Sequence, residues 1–382
     1  MNIRHILLAG AALLAAPVLH ADAVIRMAGD STMADKDLDG GNPERGWGMM
    51  LPAFFDSTVT VDNHAQNGRS TKSFMDEGRW EKMKKLMKKG EYVFIEFGHN
   101  DEPGKPGRST EVGKDFDENL RTYVRDARAK KAIPVLFTPI ARRKFEGDSL
   151  VDTHGAYTQA VRDVAAELGV PCIDLNVLTS EWLRSLGPEE SKKYFMHVAP
   201  GTVIKCPEGK KDDTHLNARG ARAVARMATK EIAKTFPKLA SHIVDYDIVV
   251  AQDGSGDFMT VQEAVDAAPD YSNARTRILV REGVYREKIT IPASKRNLTL
   301  TGDGKVVLSY DDYASRKGYT GHEIGTTGSA SVFVLPDNFT AENITFENTA
   351  GMNAGQAVAC LVDGDRAVFR NCRFLGHQDT LY

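Results

Sequence analysis

The chain has 382 residues, of which 42% are hydrophobic and 26% are charged, and its formal net charge is −3. These values are ordinary for a soluble globular protein, and the length exceeds one typical domain, so we expect two domains. The weakly acidic balance gives no reason to predict a nucleic-acid partner, although a local basic groove could still bind a polyanion.

Residues 1–23 are predicted to be a signal peptide. Arg4 supplies the positive charge, and residues 6–18 form an apolar run that is too short for an ordinary membrane span. Cleavage is expected after Ala21 or Ala23, and the second position fits the preference for small residues better. The alternative is a short buried helix. We therefore expect a secreted or periplasmic protein with no membrane attachment after cleavage.

From residue 24 to about residue 236, apolar strand-like runs alternate with helical patterns. This alternation predicts parallel strands joined by crossover helices, and therefore a three-layer α/β domain. Strands are expected at 24–28, 92–97, 133–137 and 170–174, and helices at 80–89, 119–131, 154–168 and 216–236.

Three polar segments carry the groups that ester hydrolysis requires: residues 29–32 (Gly-Asp-Ser-Thr), 98–101 (Gly-His-Asn-Asp) and 212–215 (Asp-Asp-Thr-His). The first two follow predicted strands, and reacting groups gather at the carboxyl ends of strands in an open α/β sheet. Ser31 is the predicted nucleophile and His215 the base that removes its proton. Asp212 is predicted to orient the imidazole of His215.

The predicted donors to the oxyanion are the backbone N–H of Ser31, that of Gly68 and the side-chain amide of Asn100. Asp213 competes with Asp212 for the carboxylate role, but the Asp-x-x-His spacing favours Asp212.

Each segment alone also has an ordinary structural explanation. Ser31 could cap a helix, His215 could cap the helix that follows it, and Asn100 could form an Asx turn. The ordered set favours the esterase hypothesis. Three other histidines of this region are expected to be structural or to face substrate rather than to join the triad: His99, His154 and His197.

Together these segments resemble the SGNH-type serine esterases. Residues 46–48 (Gly-Trp-Gly), 63–70 (Asn-His-Ala-Gln-Asn-Gly-Arg-Ser) and 152–155 (Asp-Thr-His-Gly) are similar to the rhamnogalacturonan acetylesterase branch. The resemblance covers residues 24–236. It implies a flavodoxin-like SGNH domain that removes acetyl groups from pectic polysaccharide.

Two residues within these motifs are the expected substrate contacts, Trp47 and Arg69. A guanidinium suits bidentate recognition of a uronate carboxylate, which makes Arg69, Arg142 and Arg143 candidates for that role. Solvated surface is the preferred expectation for Arg142 and Arg143.

The pattern changes near residues 237–246, so we place an SGNH domain at 24–238, a linker at 239–246 and a second domain at 247–382. Residues 345–348 (Thr-Phe-Glu-Asn) recur as residues 368–371 (Val-Phe-Arg-Asn), a shift that suits one coil of a parallel β-helix. A helix is expected at 261–268, and short strands at 277–280, 288–291, 298–300, 331–335, 344–346 and 367–369.

The second region resembles the pectin methylesterases over residues 246–382. The motifs that carry the resemblance are residues 253–258, 260–262, 283–287, 355–359 and 376–382. The resemblance implies a right-handed parallel β-helix in which one Asp attacks the methyl ester and a second, protonated Asp is the general acid. It assigns the acid to Asp379, oxyanion donors to Gln356 and Gln378, and a substrate contact to Ser331.

In that family the nucleophilic Asp and an Arg-Trp motif come later than the point at which this sequence ends. We therefore expect a truncated β-helix, a fragment of a longer gene product, and a second domain that is inactive as written. The sequence as a whole indicates a secreted, bifunctional pectin esterase. The alternative is an acetylesterase on xylan or another glycan, with the β-helix as a non-catalytic polysaccharide-binding module.

The four cysteines are Cys172, Cys206, Cys360 and Cys372. Export permits disulfides, and sequence position favours pairing the first two and the last two, although three connectivities are open. The spacing is not that of a zinc ribbon, so no metal site is predicted. Neither chemistry requires a cofactor.

Overall fold

The computed structural model describes residues 22–382. The predicted signal peptide therefore lies outside the described residues except for its last two positions, and Ala23 is already the first residue of a strand. Within the described part, none of the helices combines the length and apolar character needed to cross a membrane.

The first domain alternates strands and helices along the chain. Its strands are β1 (Ala23–Gly29), β2 (Val59–Asn63), β3 (Tyr92–Glu96), β4 (Ile133–Phe137), β5 (Phe145–Glu146), β6 (Ser149–Leu150), β7 (Cys172–Ile173), β8 (Phe195–Val198) and β9 (Lys210–Leu216). Its helices are α1 (Trp47–Met50), α2 (Thr71–Asp76), α3 (Arg79–Leu86), α4 (Asp115–Ala129), α5 (Ala156–Leu168), α6 (Leu175–Glu190), α7 (Ala218–Thr235) and α8 (Pro237–Ala240).

Five of these strands form a parallel sheet in the order β2-β1-β3-β4-β7. This is the flavodoxin-type order, in which the chain leaves β1 toward one edge and returns to the other side of β1 at β3. The direction of winding thus reverses between β1 and β3. The carboxyl ends of β1 and β3 border a crevice where polar groups can gather.

Both faces of this sheet are apolar, and helices cover each of them. Phe94 and Phe137 face one side, where they pack with Trp47 of α1 and with α7. Val93 and Leu136, one residue earlier on the same strands, face the other side and pack with α4 and α5. Because successive strand residues point to opposite faces, these apolar runs require helices on both sides. The structure therefore has the predicted three-layer α/β arrangement.

The sequence patterns did not predict β2, α6 or the antiparallel pair β8–β9. Asp174 caps α6 by accepting a hydrogen bond from the backbone N–H of Val177, and Gly187 kinks the helix near its end. The β8–β9 pair matters for function because Asp212 and His215 lie on β9.

The second region consists of short strands. They are β10 (Ile248–Val250), β11 (Thr276–Arg286), β12 (Ile289–Ile291), β13 (Leu298–Tyr310), β14 (Val332–Val334), β15 (Thr340–Asn348), β16 (Cys360–Val362), β17 (Val368–Arg370) and β18 (Arg373–Leu375), with helices α9 (Val261–Ala267) and α10 (Gly325–Gly328). One parallel sheet has the order β10-β11-β13-β15-β17, with β18 also on β15, and another has the order β12-β14-β16. Residues of both sheets share one hydrophobic core.

The predicted repeat between residues 345–348 and 368–371 is wrong as a structural register. In the sheet, Thr345 pairs with Arg373, and the ring of Phe346 stacks on that of Phe374 with centroids 5.3 Å apart. The two asparagines of the sequence repeat also differ in environment. Asn348 is buried, whereas Asn371 is exposed in a left-handed conformation with φ of 51°.

Residues 239–246, predicted as a linker, lie against the first domain. Leu239 is fully buried in its core, and Phe55 forms a β-bridge with Ile243. The second region contacts the first domain beside this bridge. Nη2 of Arg281 donates to the carbonyl oxygens of Pro52 and Phe55, both at 2.7 Å. The two domains therefore pack directly on each other.

The expected disulfides are not formed, since all four cysteines are free. Cys172 is exposed on β7, whereas Cys206 lies in the loop between β8 and β9. Cys360 is enclosed in the second core, where burial raises the pKa of its thiol to about 12. The Sγ of Cys372 contacts backbone carbonyl oxygens instead.

Candidate active site

The turn after β1 presents Ser31 at the carboxyl end of the sheet. The turn is held by the buried carboxylate of Asp30. Its Oδ1 accepts hydrogen bonds from the backbone N–H and the hydroxyl of Thr32, both at 2.9 Å. Burial raises the pKa of Asp30, but His99 and these two bonds lower it more, so the net shift is downward. Asp30 therefore stays ionised and fixes the turn that carries Ser31.

Strand β9 brings an imidazole and a carboxylate to that hydroxyl. Nε2 of His215 lies 2.9 Å from Oγ of Ser31, and its Nδ1 lies 2.7 Å from Oδ2 of Asp212. Oδ1 of Asp212 accepts the backbone N–H groups of Thr214 and His215. Burial opposes ionisation of Asp212, but the bonds from His215 and Thr214 lower its pKa strongly. A hydroxyl, an imidazole and a carboxylate thus form one continuous chain of hydrogen bonds.

The structure distinguishes the two adjacent carboxylates. Asp213 points away from His215 and pairs with Arg143 and with Nε2 of His197, the latter at 2.7 Å. His215 does not cap α7, because the side chain of Asn217 accepts the bond from the helix N-terminus.

The predicted oxyanion donors surround the same opening. Ser31, Gly68 and Asn100 all line a cleft of about 490 Å³ that also contains His215. Gly68 has φ of +76°, a left-handed conformation that favours glycine. Nη1 of Arg108 donates to the carbonyl oxygen of Gly68 and to Oδ1 of Asn100, which fixes the direction of the Asn100 amide.

Three cations line one wall of the cleft, Lys105, Arg108 and Arg142. Lys105 and Arg142 both pair with Glu102, at 2.9 and 2.6 Å. Arg108 has no carboxylate within 4.0 Å among residues 22–382, so its charge is uncompensated. In that same part of the chain, no group of three or more His, Cys, Asp or Glu side chains is placed to hold a metal ion.

The structure corrects the expectations for the substrate contacts. Trp47 is completely buried, its Nε1 donates to Glu96 at 2.8 Å, and its ring packs on Phe137, so it has no surface for a substrate. Arg69 is held by Glu77 at 3.0 Å and is outside the cleft lining.

The expectation of solvated surface for Arg142 and Arg143 is wrong. Their side chains are only 17% and 7% exposed, because each is enclosed by carboxylate and carbonyl partners. Thr153, from the Asp-Thr-His-Gly motif, is one of the partners of Arg142.

Sequence reasoning missed Arg108, Lys105 and Glu44 as cleft residues. They lie in irregular segments between β1 and α1 and between β3 and α4. Hydrophobic periodicity carries no signal there, because the path of such a loop depends on what it packs against.

In the second region, Gln356 and Gln378 lie next to each other, just outside the named strands. They form a parallel β-bridge, and the backbone N–H of Ala357 donates to the carbonyl oxygen of Gln378 at 3.0 Å. Gln378 and Asp379 are exposed. Ser331 is fully buried, so the predicted substrate contact through its side chain is wrong.

Comparison with known proteins agrees with this division of the chain. The model of the GDSL-like lipase/acylhydrolase family matches residues 27–223, and the pectinesterase model matches residues 247–382. Rhamnogalacturonan acetylesterase RhgT of Bacillus subtilis is 37% identical over 57% of this chain and 93% of its own length.

The second region is similar to part of the pectinesterases. Pectinesterase 4 of Arabidopsis thaliana is 48% identical over 36% of this chain and 23% of its own length. The solved pectin methylesterase from carrot is 40% identical, with 36% of this chain and 42% of that chain covered and a TM-score of 0.34. The chain thus spans less than half of these two pectinesterases.

The relatives of both regions are carboxylic ester hydrolases by name. Residues 27–223 cover most of the first domain and include the Ser31–His215–Asp212 chain. This protein therefore belongs to the GDSL-like lipase/acylhydrolase family, with an SGNH domain that matches rhamnogalacturonan acetylesterases fused to a partial pectinesterase domain.

Proposed function

We propose that this protein is a secreted pectin-modifying esterase whose first domain removes acetyl groups from rhamnogalacturonan or pectin. The observation that carries the proposal is the series of hydrogen bonds from Oγ of Ser31 through His215 to Asp212. The similarity to RhgT over 93% of that enzyme's length supports the substrate class.

The geometry supports acyl transfer through a serine ester. Nε2 of His215 accepts the hydroxyl proton as Oγ of Ser31 attacks the acetyl carbonyl carbon, and Asp212 stabilises the resulting imidazolium. That imidazolium then protonates the departing sugar oxygen, which leaves an acetyl-enzyme. Water, deprotonated by His215, attacks the acetyl-enzyme, releases acetate and restores the serine hydroxyl.

Stabilisation of the oxyanion comes from the backbone N–H groups of Ser31 and Gly68 and from Nδ2 of Asn100. Such donors act on charge that develops only in the transition state, and each typically contributes about 3 kcal/mol. Arg108 supports this arrangement because it holds both Gly68 and Asn100.

The uncompensated guanidinium of Arg108 favours an acidic polymer over a neutral one. A uronate carboxylate entering the cleft could pair with Nε or Nη2 of Arg108 without breaking an internal ion pair, while Nη1 keeps its bonds to Gly68 and Asn100. We therefore expect acetate release from acetylated rhamnogalacturonan or homogalacturonan to exceed release from acetylated xylan. Equal or faster reaction with xylan would favour the alternative glycan esterase.

The direct test is Ser31→Ala. Acetate release should fall by at least about 10⁴-fold, because the nucleophile is removed. The free energy of unfolding should fall by no more than about 1 kcal/mol, because the substitution removes one hydrogen bond, to the partly exposed imidazole of His215. A variant that folds and keeps more than a trace of activity would exclude Ser31 as the nucleophile.

For the second region, we infer that the two parallel sheets are faces of a right-handed β-helix that contributes to pectin demethylation. Supporting features are the parallel ladders and the match of residues 247–382 to the pectinesterase model. Gln356, Gln378 and Asp379 are the proposed oxyanion donors and general acid. Methanol release from pectin by a longer chain that carries the whole pectinesterase domain tests this role, and pectin binding by that chain without methanol release would favour a binding module.

A further inference from the structure

A buried lysine supports the backbone at the proposed nucleophile. Nζ of Lys36 donates to the carbonyl oxygen of Ser31 and to Oδ1 of Asn67, both at 2.6 Å. Its side chain is only 2% exposed, and burial lowers the pKa of Lys36. An ammonium in such a place needs a carboxylate partner, and Oε1 of Glu44 supplies it at 3.0 Å.

The second oxygen of Glu44 continues this chain of charges to the other end of the site. Oε2 of Glu44 lies 3.1 Å from Nζ of Lys210, and Nζ of Lys210 lies 3.0 Å from Oδ2 of Asp212. That same carboxylate oxygen contacts Nδ1 of His215. Charges of alternating sign therefore run from beneath Ser31, through Glu44 and Lys210, to the carboxylate that holds the imidazole.

We infer that Glu44 and Lys210 are positioning residues of the proposed esterase site and set, with opposite signs, the pH at which His215 becomes a base. The inference rests on the proposed function of Ser31 and His215. The ammonium of Lys210 and the imidazole of His215 both contact Oδ2 of Asp212. The positive charge of Lys210 offsets part of the negative charge of Asp212 and so disfavours the imidazolium. Glu44 adds negative charge beside the cleft and favours the imidazolium.

Other charged groups also face His215 from neighbouring elements. They are Asp30 and His99 beneath the site, Lys36 beside Ser31, and Lys105, Arg108 and Arg142 across the cleft. All of them stay in place in Lys210→Met, and they set the baseline of the pH profile. Glu44→Gln also removes the carboxylate partner of Lys36, so it reports on the Glu44–Lys36 pair, whereas the Lys210 variants isolate one residue.

Strand β9 provides a matched control. Lys211 follows Lys210 directly, and because successive strand residues point to opposite faces, it points away from Asp212. It is exposed and has no carboxylate within 4.0 Å in the described part of the chain. Lys211→Met therefore removes the same charge from the same strand without touching the proposed network.

The experiment is the pH profile of kcat/KM at low ionic strength with 4-nitrophenyl acetate, a neutral ester. Lys210→Met should move the acidic limb to higher pH by about 0.5 to 1 unit, and Glu44→Gln should move it to lower pH by a similar amount. Lys210→Arg keeps the charge and should restore the wild-type limb. Lys211→Met should leave the limb in place.

Loss of the positioning contacts should also lower kcat by about tenfold in Lys210→Met, with little change in KM. The inference would be overturned if the acidic limb of the pH profile did not move in Lys210→Met and Glu44→Gln. It would also be overturned if the limb moved in the same direction in both variants. Ser31→Ala in the same assay separates the two proposals. If it is inactive while the limbs stay fixed, only the network inference fails, whereas an active Ser31→Ala overturns both.

Discussion

The two domains bring their candidate groups together in different ways. In the first, Ser31 and His215 are 184 positions apart in sequence and meet because β1 and β9 end at the same opening. In the second, Gln356 and Gln378 are neighbours because the segments that carry them pair through their backbones in an isolated parallel bridge. A site of the first kind depends on the whole domain, whereas one of the second kind follows from local register.

The two sets of groups also differ in how firmly the protein holds them. Asp212 and His215 have internal partners on both sides, and Asn100 is oriented by Arg108. Gln378 and Asp379 are exposed. Substitutions in the first set should therefore change the chemistry of the domain strongly, while those in the second should leave the first site unaffected.

Among substitutions that compare the two sets of groups, Asp212→Asn is expected to have the largest effect. Acetate release should fall by about 10⁴-fold, because an amide at this position no longer stabilises the imidazolium or the required tautomer of His215. The matched control is Asp213→Asn, next in the chain but paired with Arg143 and His197. It should keep acetate release within about threefold of wild type, and a comparable loss in both variants would contradict the pairing seen here.

Asn100→Ala should lower kcat for acetate release by about 10²- to 10³-fold, since one oxyanion donor is lost. Gln378→Ala, made in the same two-domain chain, should leave acetate release unchanged. The measurement is steady-state kinetics on one acetylated substrate. A marked loss of acetate release in Gln378→Ala would show that the two sites are not independent.

Within the second region, the buried Asn348 is expected to matter for stability. Its Nδ2 donates to the carbonyl oxygens of Asp312, Ser329 and Val358 at 2.9 to 3.2 Å. Asn348→Ala leaves the carbonyl oxygens of Asp312 and Ser329 without this donor, whereas that of Val358 still accepts the backbone N–H of Ser331. The free energy of unfolding should fall by about 2–3 kcal/mol, measured by urea denaturation.

The control for this substitution is Asn353→Ala. Asn353 is exposed in a short 3₁₀ turn, so its replacement should change the free energy of unfolding by about 0.5 kcal/mol or less. Equal effects of Asn348→Ala and Asn353→Ala would mean that the buried hydrogen bonds do not stabilise the stacked strands.

The smallest effect concerns a buried acid beneath the first site. Burial and the charge of Asp30 raise the pKa of Glu96 to about 8 from its ordinary value of 4.5. The folded state therefore binds a proton that the unfolded state has released, and this group lowers stability as pH rises from 4.5 to 8. Glu96→Gln removes that loss while keeping an acceptor for Trp47.

Relative to wild type, Glu96→Gln should gain about 1 kcal/mol in free energy of unfolding between pH 6 and pH 7. Urea denaturation at several pH values measures this difference. Glu111→Gln, at an exposed carboxylate, is the control and should show a difference from wild type that does not vary over that range. A pH-independent difference for Glu96→Gln would exclude a protonated Glu96.

Local sequence was sufficient to predict the three layers of the first domain. Strands such as β3 and β4 are continuous apolar runs, and their periodicity is set by residues that are close in the chain. The same holds for the segments that carry Ser31 and Asn100, because each follows a predicted strand of the sheet. The strand that carries His215, β9, was not predicted. The sequence also indicated the correct family for both regions.

Tertiary structure decided which side chains reach the cleft. It placed Arg108 rather than Arg69 in the lining of the cleft, and it turned Asp213 toward Arg143 and His197, whereas the partner of His215, Asp212, was already favoured by the sequence spacing. It also buried Trp47 and Ser331 completely. The physical reason is that the direction and exposure of a side chain depend on segments remote in the chain that pack over it, whereas the identity of a strand depends on its own neighbours.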